Sequence, residues 1–113
     1  MTKQRLIPDN PLSFIQSCVR AEKLFWSYHV NMRMRERGIS RDMVLKSEES
    51  FELIESYPED KYLPSYLVYA VQHDNQVFHV LFAVDVEEKH VRVITVYYPN
   101  AMQWRNDLKA RRS

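Results

Sequence analysis

Three β-rich segments fill most of the second half of this 113-residue chain, and they restrict its fold more than any other feature. The segments are residues 65–73, 77–86 and 91–98. Their valine, tyrosine and phenylalanine content favours strands, and the short turns between them favour hairpins. The pattern predicts an antiparallel meander, with a fourth, edge strand where residues 51–57 alternate between apolar and acidic side chains. The two central strands are apolar on both faces, so helices must cover one face and another part of the chain the other.

Helix signals flank this sheet. A first helix of about three turns begins at Pro11, with Asn10 as its cap, after an irregular lead-in over residues 1–10. Its apolar residues recur at helical spacing; they are Leu12, Ile15, Val19 and, further on, Leu24. Residues 101–110 can form a final helix that packs through Met102, Trp104 and Leu108.

The segment around Gly38, the only glycine of the chain, carries the clearest helix boundaries. Ser27 is a suitable cap for a second helix over residues 28–37, and Gly38 ends that helix in a left-handed conformation. Ser40 then caps a short third helix that runs to about residue 46. The predicted fold is therefore an α+β domain, with two or three N-terminal helices packed on a sheet of about four antiparallel strands.

Composition places the chain among ordinary globular proteins that form one domain over residues 1–113. The formal net charge is only +1, but arginines concentrate at residues 33–41, acidic side chains at 48–60, and basic ones again at 105–112. Because Cys18 is the single cysteine, we expect neither an internal disulfide nor a cysteine-based zinc site. No apolar run approaches the length of a membrane span. We expect a cytoplasmic protein without a metal or other cofactor.

The second predicted helix carries the most suggestive group of side chains. His29, Arg33 and Arg37 recur at every fourth residue, so an imidazole and two guanidinium groups share one helix face. Such a set can transfer a proton and brace a phosphodiester without a metal ion. An ordinary solvated face, in which Arg33 pairs with Glu36, explains the same spacing equally well.

These residues belong to a longer motif. The order His29-x-x-x-Arg33-Met34-x-Glu36-Arg37-Gly38-Ile39-Ser40, followed by Phe78-His79-Val80 and by Val93-Ile94-Thr95-Val96-Tyr97, resembles a small bacterial domain family of unknown function. That family is related to the BrnT toxins and, more distantly, to the RelE/ParE superfamily. The resemblance covers about residues 26–98. It implies a RelE-like fold, with helices on a curved antiparallel sheet, and a small antitoxin as a partner.

The resemblance also implies an activity. BrnT and RelE-like toxins cut RNA without metal, whereas ParE relatives act on gyrase, so the fold alone does not select the reaction. For RNA cleavage, His29 and His79 are the candidate acid and base, Arg33 and Arg37 brace the phosphate, and Tyr97 is a further proton donor.

Each of these residues can also have a purely structural role. A histidine flanked by apolar residues on a central strand, as His79 is, is commonly a hydrogen-bonded core residue, and Tyr97 can simply pack. Two other functions therefore stay open at this point. One is a non-catalytic domain that binds a protein partner through the helix stripe, and the other is an RNA-binding module without chemistry.

Overall fold

The structure, a computed structural model, describes residues 6–113. Its helices are α1 (Pro11–Arg20), α2 (Tyr28–Arg37) and α3 (Arg41–Lys46). Its strands are β1 (Leu24–Trp26), β2 (Glu52–Tyr57), β3 (Ser65–Val71), β4 (Val77–Asp85) and β5 (His90–Tyr97), and a 3₁₀ turn over Glu48–Ser50 precedes β2. The strands form one sheet in the order β1-β5-β4-β3-β2. The α+β class is therefore confirmed. Of the predicted irregular lead-in, residues 1–5 lie outside the described part of the chain, and residues 6–10 form neither helix nor strand.

The helix boundaries around Gly38 follow the sequence signals. The Ser27 hydroxyl accepts a hydrogen bond from the amide of Val30 at 3.0 Å and caps α2. Gly38 adopts φ 71°, and the amide of Ile39 then donates to the carbonyl of Met34 at 2.9 Å. These two features end the helix in the left-handed manner that glycine permits. Ser40 accepts from the amide of Met43 at 3.1 Å and starts α3.

The sheet has five strands and is mixed. The predicted sheet of about four antiparallel strands therefore lacked one strand, which is parallel to its neighbour. The additional strand, β1, runs parallel to β5, with Leu24 opposite Val91 and Trp26 opposite Val93. Leu24 continues the apolar spacing of α1, but Glu22 adopts φ 56°, a left-handed conformation that ends the helix. The chain then extends along the free edge of β5 as β1. A strand this short shows too little alternation of side chains to be predicted from the sequence.

The main core lies between the helices and one face of the sheet. Alternate residues of β4 point into it, and each is completely buried: Phe78, Val80, Phe82 and Val84. The helices contribute Ile15 and Val19 from α1, Val30 and Met34 from α2, and Val44 from α3. Burying a side chain of this size stabilises a fold by about 1.5–3 kcal/mol. The burial of Val30 and Met34 therefore holds α2 against the sheet. None of the helices formed by residues 6–113 has the length and apolar character that a bilayer crossing requires.

The opposite face of the sheet, which we call the tail face, is covered in part by residues 100–112. The prediction of a final helix over residues 101–110 is wrong, because this segment forms turns joined by a bridge between Trp104 and Arg111. The Asn100 side chain accepts from the amides of Met102 and Gln103, each at 3.0 Å, and Leu108 adopts φ 60°. Contacts with the sheet override the local helix pattern here. We call residues 100–112 the C-terminal cap.

Candidate functional site

The predicted stripe of α2 lies on the exposed side of that helix. His29 is exposed, and Arg33 forms a long ion pair, at 3.7 Å, with Glu36 one turn further along. Arg37 reaches back to the sheet, where its Nη1 donates to the carbonyl oxygen of Val96 at 2.7 Å. Since β1 pairs with β5 only as far as Val93, this guanidinium occupies the part of β5 that β1 leaves open.

The structure does not bring this stripe together with His79 and Tyr97. Phe78 and Val80 point into the core beneath the helices, so His79, between them in β4, points to the tail face. Tyr97 is paired with His79 in the sheet register and points to the same side. The five candidate residues thus form two groups: His29, Arg33 and Arg37 on α2, with Arg37 reaching the edge of β5, and His79 and Tyr97 on the far face of the sheet.

His79 is fully buried, and both of its ring nitrogens are used. Nε2 lies 2.7 Å from the carbonyl oxygen of Leu108, which can only accept, so Nε2 carries the proton and donates it. Nδ1 lies 3.1 Å from the hydroxyl of Tyr97 and accepts from it. Burial lowers the pKa of His79, although the Leu108 carbonyl and the charge of Glu55 oppose this shift and Arg111 adds to it. The imidazole is therefore neutral and fixed in one tautomer.

The C-terminal cap supplies Arg111, which the sequence analysis did not single out, and Trp104, which it named only as a packing residue. Trp104 packs edge-on against His79, with ring centroids 4.5 Å apart, and the guanidinium of Arg111 lies 4.5 Å from the Trp104 ring. Arg111 also holds the carboxylate of Glu55 in β2, through Nε at 2.7 Å and Nη2 at 3.2 Å. Tyr57, two residues beyond Glu55, donates its hydroxyl to the same carboxylate.

We call Glu55, Tyr57, His79, Tyr97 and Arg111 the tail-face cluster. Its members influence one another's charge state. Burial by itself raises the pKa of Glu55, but hydrogen bonds from Arg111 and Tyr57 and the Arg111 charge hold it below its usual value. Burial raises the pKa of Tyr57 and of Tyr97; the Glu55 charge raises both further, and the Arg111 charge opposes the shift. At neutral pH the cluster thus holds one carboxylate, one guanidinium and two protonated phenols.

This arrangement contains the groups that metal-free cleavage of a phosphodiester requires. A carboxylate can take a proton from a hydroxyl, a guanidinium can grip phosphate oxygens, and a phenol can donate a hydrogen bond or a proton. Glu55 and Arg111 keep part of their side-chain surface exposed, at 20% and 51%. His79 is covered and contacts the hydroxyl of Tyr97.

Sequence spacing had little power to reveal the tail-face cluster. Glu55 looked like one of several acidic residues on the solvated side of an edge strand, and Arg111 like one of several charges in a basic tail. The two are 56 positions apart and meet only because the C-terminal cap folds across the sheet. The signal that could have found them is the need for something to cover the second apolar face of the meander.

A family model described as a domain of unknown function, DUF4258, matches residues 26–98, well over half of the chain. The chain belongs to this family. The DUF4258 segment contains α2 and all five strands except part of β1, while the whole C-terminal cap, with Trp104 and Arg111, lies beyond it. No curated protein and no solved structure matches the chain.

Proposed function

We propose that this DUF4258 protein is a toxin-type, metal-independent endoribonuclease whose reaction takes place at the tail-face cluster. The observation that carries the proposal is the Glu55 carboxylate, bound by both Arg111 and Tyr57 at the partly open surface of the sheet. The motif's resemblance to BrnT and RelE-like toxins adds support from the sequence. The proposal places the protein in the cytoplasm, with messenger RNA as its substrate and a small antitoxin as its partner.

The reaction follows from the charge states of the cluster. Glu55 takes the proton from the ribose 2′-hydroxyl, and the 2′-oxygen then attacks the adjacent phosphorus. Arg111 binds the phosphate oxygens as negative charge builds on them. A phenol, from Tyr97 or Tyr57, gives its proton to the departing 5′-oxygen. The products are a 2′,3′-cyclic phosphate and a free 5′-hydroxyl, with the bond from phosphorus to the 5′-oxygen broken.

Substrate binding also strengthens the base. In the free protein Arg111 and Tyr57 hold the pKa of Glu55 low, whereas burial alone would raise it. When a phosphate draws Arg111 away, the carboxylate loses its main hydrogen-bond donor while it stays partly buried. Its pKa therefore rises toward the working pH, which is the range in which a general base is most effective.

The α2 stripe has a different role in this proposal. His29 and Arg33 are exposed and face away from the tail-face cluster, and Arg37 is committed to the Val96 carbonyl. In this proposal His29 and Arg33 bind RNA phosphates or an acidic antitoxin, and none of the three acts on the scissile bond. Their role in this proposal differs from the acid–base and phosphate-binding roles that sequence spacing suggested for them.

A second candidate function, a non-catalytic domain that binds a protein partner, is favoured by one observation. Arg33 and Arg37 both have partners within the molecule, in Glu36 and Val96, as the charges of a structural helix face do. In that case the tail-face cluster only fastens the C-terminal cap to the sheet. The two functions differ in whether Glu55 is needed for chemistry.

The test compares two glutamates of β2. Glu52 pairs with Lys109 of the C-terminal cap at 2.8 Å, so Glu52→Gln removes the same kind of ion pair as Glu55→Gln but leaves the cluster intact. A messenger transcript is incubated with each protein in EDTA, and in parallel in a cell-free translation reaction, and new 5′ ends are mapped by primer extension. We expect cleavage by the wild type and by Glu52→Gln, and at least a hundredfold slower cleavage by Glu55→Gln.

Two results would contradict this proposal. If the wild type yields no new 5′ ends in either reaction, the protein is not a ribonuclease and the partner-binding function takes its place. If Glu55→Gln cleaves as fast as Glu52→Gln, RNA is cut elsewhere on the molecule and the tail-face cluster is structural.

A further inference from the structure

A groove lies at the sheet edge formed by β1 and β5. It encloses about 390 Å³ and is lined by Phe25, Trp26, Ser27, Arg92, Val93 and Ile94. In the sheet register Phe25 lies opposite Arg92, and Arg92 opposite Ala83 of β4. Because Ala83 and His79 are four residues apart on β4, Arg92 and Tyr97 emerge on the same face. The Phe25 and Arg92 side chains of the groove therefore lie on the tail face, whereas Trp26 and Val93 point to the helix side.

The groove combines an exposed aromatic ring with an exposed cation. Phe25 is 59% exposed, although it is a large apolar side chain, and His90 holds its ring edge-on at 4.5 Å. Ile94 beside it is 45% exposed. Arg92 is exposed, and among residues 6–113 no carboxylate forms an ion pair with it. None of the groove residues is acidic.

We infer that this groove is a stacking subsite for one nucleotide of a single-stranded RNA, with the base on Phe25 and a neighbouring phosphate on Arg92. Exposed aromatic rings on a sheet, next to an unpaired cation, are how proteins bind single strands without reading their sequence. Arg92 and Tyr97 pair with Ala83 and His79, which are four positions apart on β4, so they lie roughly 13 Å apart along the sheet. The subsite therefore takes a nucleotide near the scissile phosphate but not at it. The inference rests on the proposed function and adds where the RNA strand binds beside the tail-face cluster.

Binding to an RNA that cannot be cut separates this subsite from the reaction. The probe is an unstructured 12-nucleotide RNA with 2′-O-methyl groups, which lacks the attacking hydroxyl, and binding is followed by fluorescence anisotropy at several salt concentrations. The variants are Phe25→Ala and Arg92→Gln. The matched controls are Tyr62→Ala and Lys61→Gln, because Tyr62 is an 82% exposed ring with a lysine ammonium 5.1 Å from its centre, elsewhere on the surface.

We expect Phe25→Ala to weaken binding about tenfold or more, and Arg92→Gln to weaken it and to reduce the slope of log affinity against log salt by about one. The two control variants should bind as the wild type does. Circular dichroism melting of each variant confirms that it is folded, which the exposure of both side chains leads us to expect.

The inference is overturned if the wild type does not bind the probe, or if the groove variants bind as tightly as the controls. It is also overturned if the groove variants lose a protein partner while RNA binding is unchanged, since the groove is then a protein-docking surface. Failure of the proposed function has a different signature. The probe would bind through Phe25 and Arg92, but no cleavable RNA would be cut.

Discussion

Each ring nitrogen of His79 forms one hydrogen bond, and together the two bonds decide which nitrogen carries the proton. The Leu108 carbonyl requires a proton on Nε2, which leaves Nδ1 free to accept from Tyr97. The Tyr97 phenol is thereby oriented and kept protonated, and burial raises its pKa. His79 is a positioning residue in the proposed reaction, which is a different role from the acid or base that the sequence suggested.

The charge state of His79 makes stability depend on pH. Its pKa is about 6.5 in an unfolded chain and is lowered in the folded protein, so between these two values the unfolded state binds more protons. The contribution to stability is therefore complete above about pH 6.5 and is lost as the pH falls toward the folded pKa. His79→Gln, which can keep a donor and an acceptor in place, should show a flatter profile in this range.

Urea unfolding at pH values from 5 to 8 measures this difference, with His29→Gln as the control for loss of an exposed histidine. If the profiles of His79→Gln and the wild type run parallel across this range, His79 is not buried in the neutral form.

At the scale of elements, local signals predicted the helices well. The boundaries of α2 and α3 depend on Ser27, Gly38 and Ser40, whose effects reach only a few residues along the chain. The strands β3, β4 and β5 were equally clear, because each has seven or more residues of strong β-propensity. The errors fell where contacts between distant residues decide the structure. β1 forms because β5 offers a free edge, and residues 101–110 are not helical because Trp104 packs on His79.

The same reasoning applies to the candidate site. His79 and Tyr97 were found because both stand in recognisable strand motifs, and the structure does join them at 3.1 Å. The stripe of α2 was correctly placed on one exposed helix face, but sequence periodicity does not show which side of the sheet a helix covers. Glu55 and Arg111 were missed, since no local pattern connects them.

The C-terminus of α2 offers a direct measure of a local signal. Gly38 adopts φ 71°, and a Cβ built there would meet no atom within 4 Å. The cost of Gly38→Ala is therefore one of backbone strain without a steric clash, about 1–2 kcal/mol. Gly38→Asn, which tolerates the left-handed conformation better, should cost less. The free energy of unfolding in urea checks both values, and a Gly38→Ala variant as stable as the wild type would show that the chain ends α2 in another conformation.

At the scale of the whole molecule, the family segment does not end where the packed structure does. The DUF4258 match stops at residue 98, whereas the C-terminal cap continues to cover His79 and to hold β2 through two ion pairs, Lys109–Glu52 and Arg111–Glu55. A five-stranded sheet with helices on one face needs a cover over the apolar residues of the other. The cap supplies that cover and half of the charge pair at the proposed site.

This view predicts that one residue of the cap carries most of its stabilising effect. Trp104 is 0% exposed and packs on His79, whereas Met102, two residues earlier, is 90% exposed. Trp104→Ala should lower the free energy of unfolding by about 3–5 kcal/mol, because it removes a large buried ring, and Met102→Ala should change it by less than about 0.5 kcal/mol. Urea unfolding followed by far-UV circular dichroism gives the first comparison. Hydrogen exchange of the β4 amides then shows whether the tail face opens. If Trp104→Ala unfolds at the same urea concentration as Met102→Ala, the cap is an appendage that docks on a sheet already stable without it.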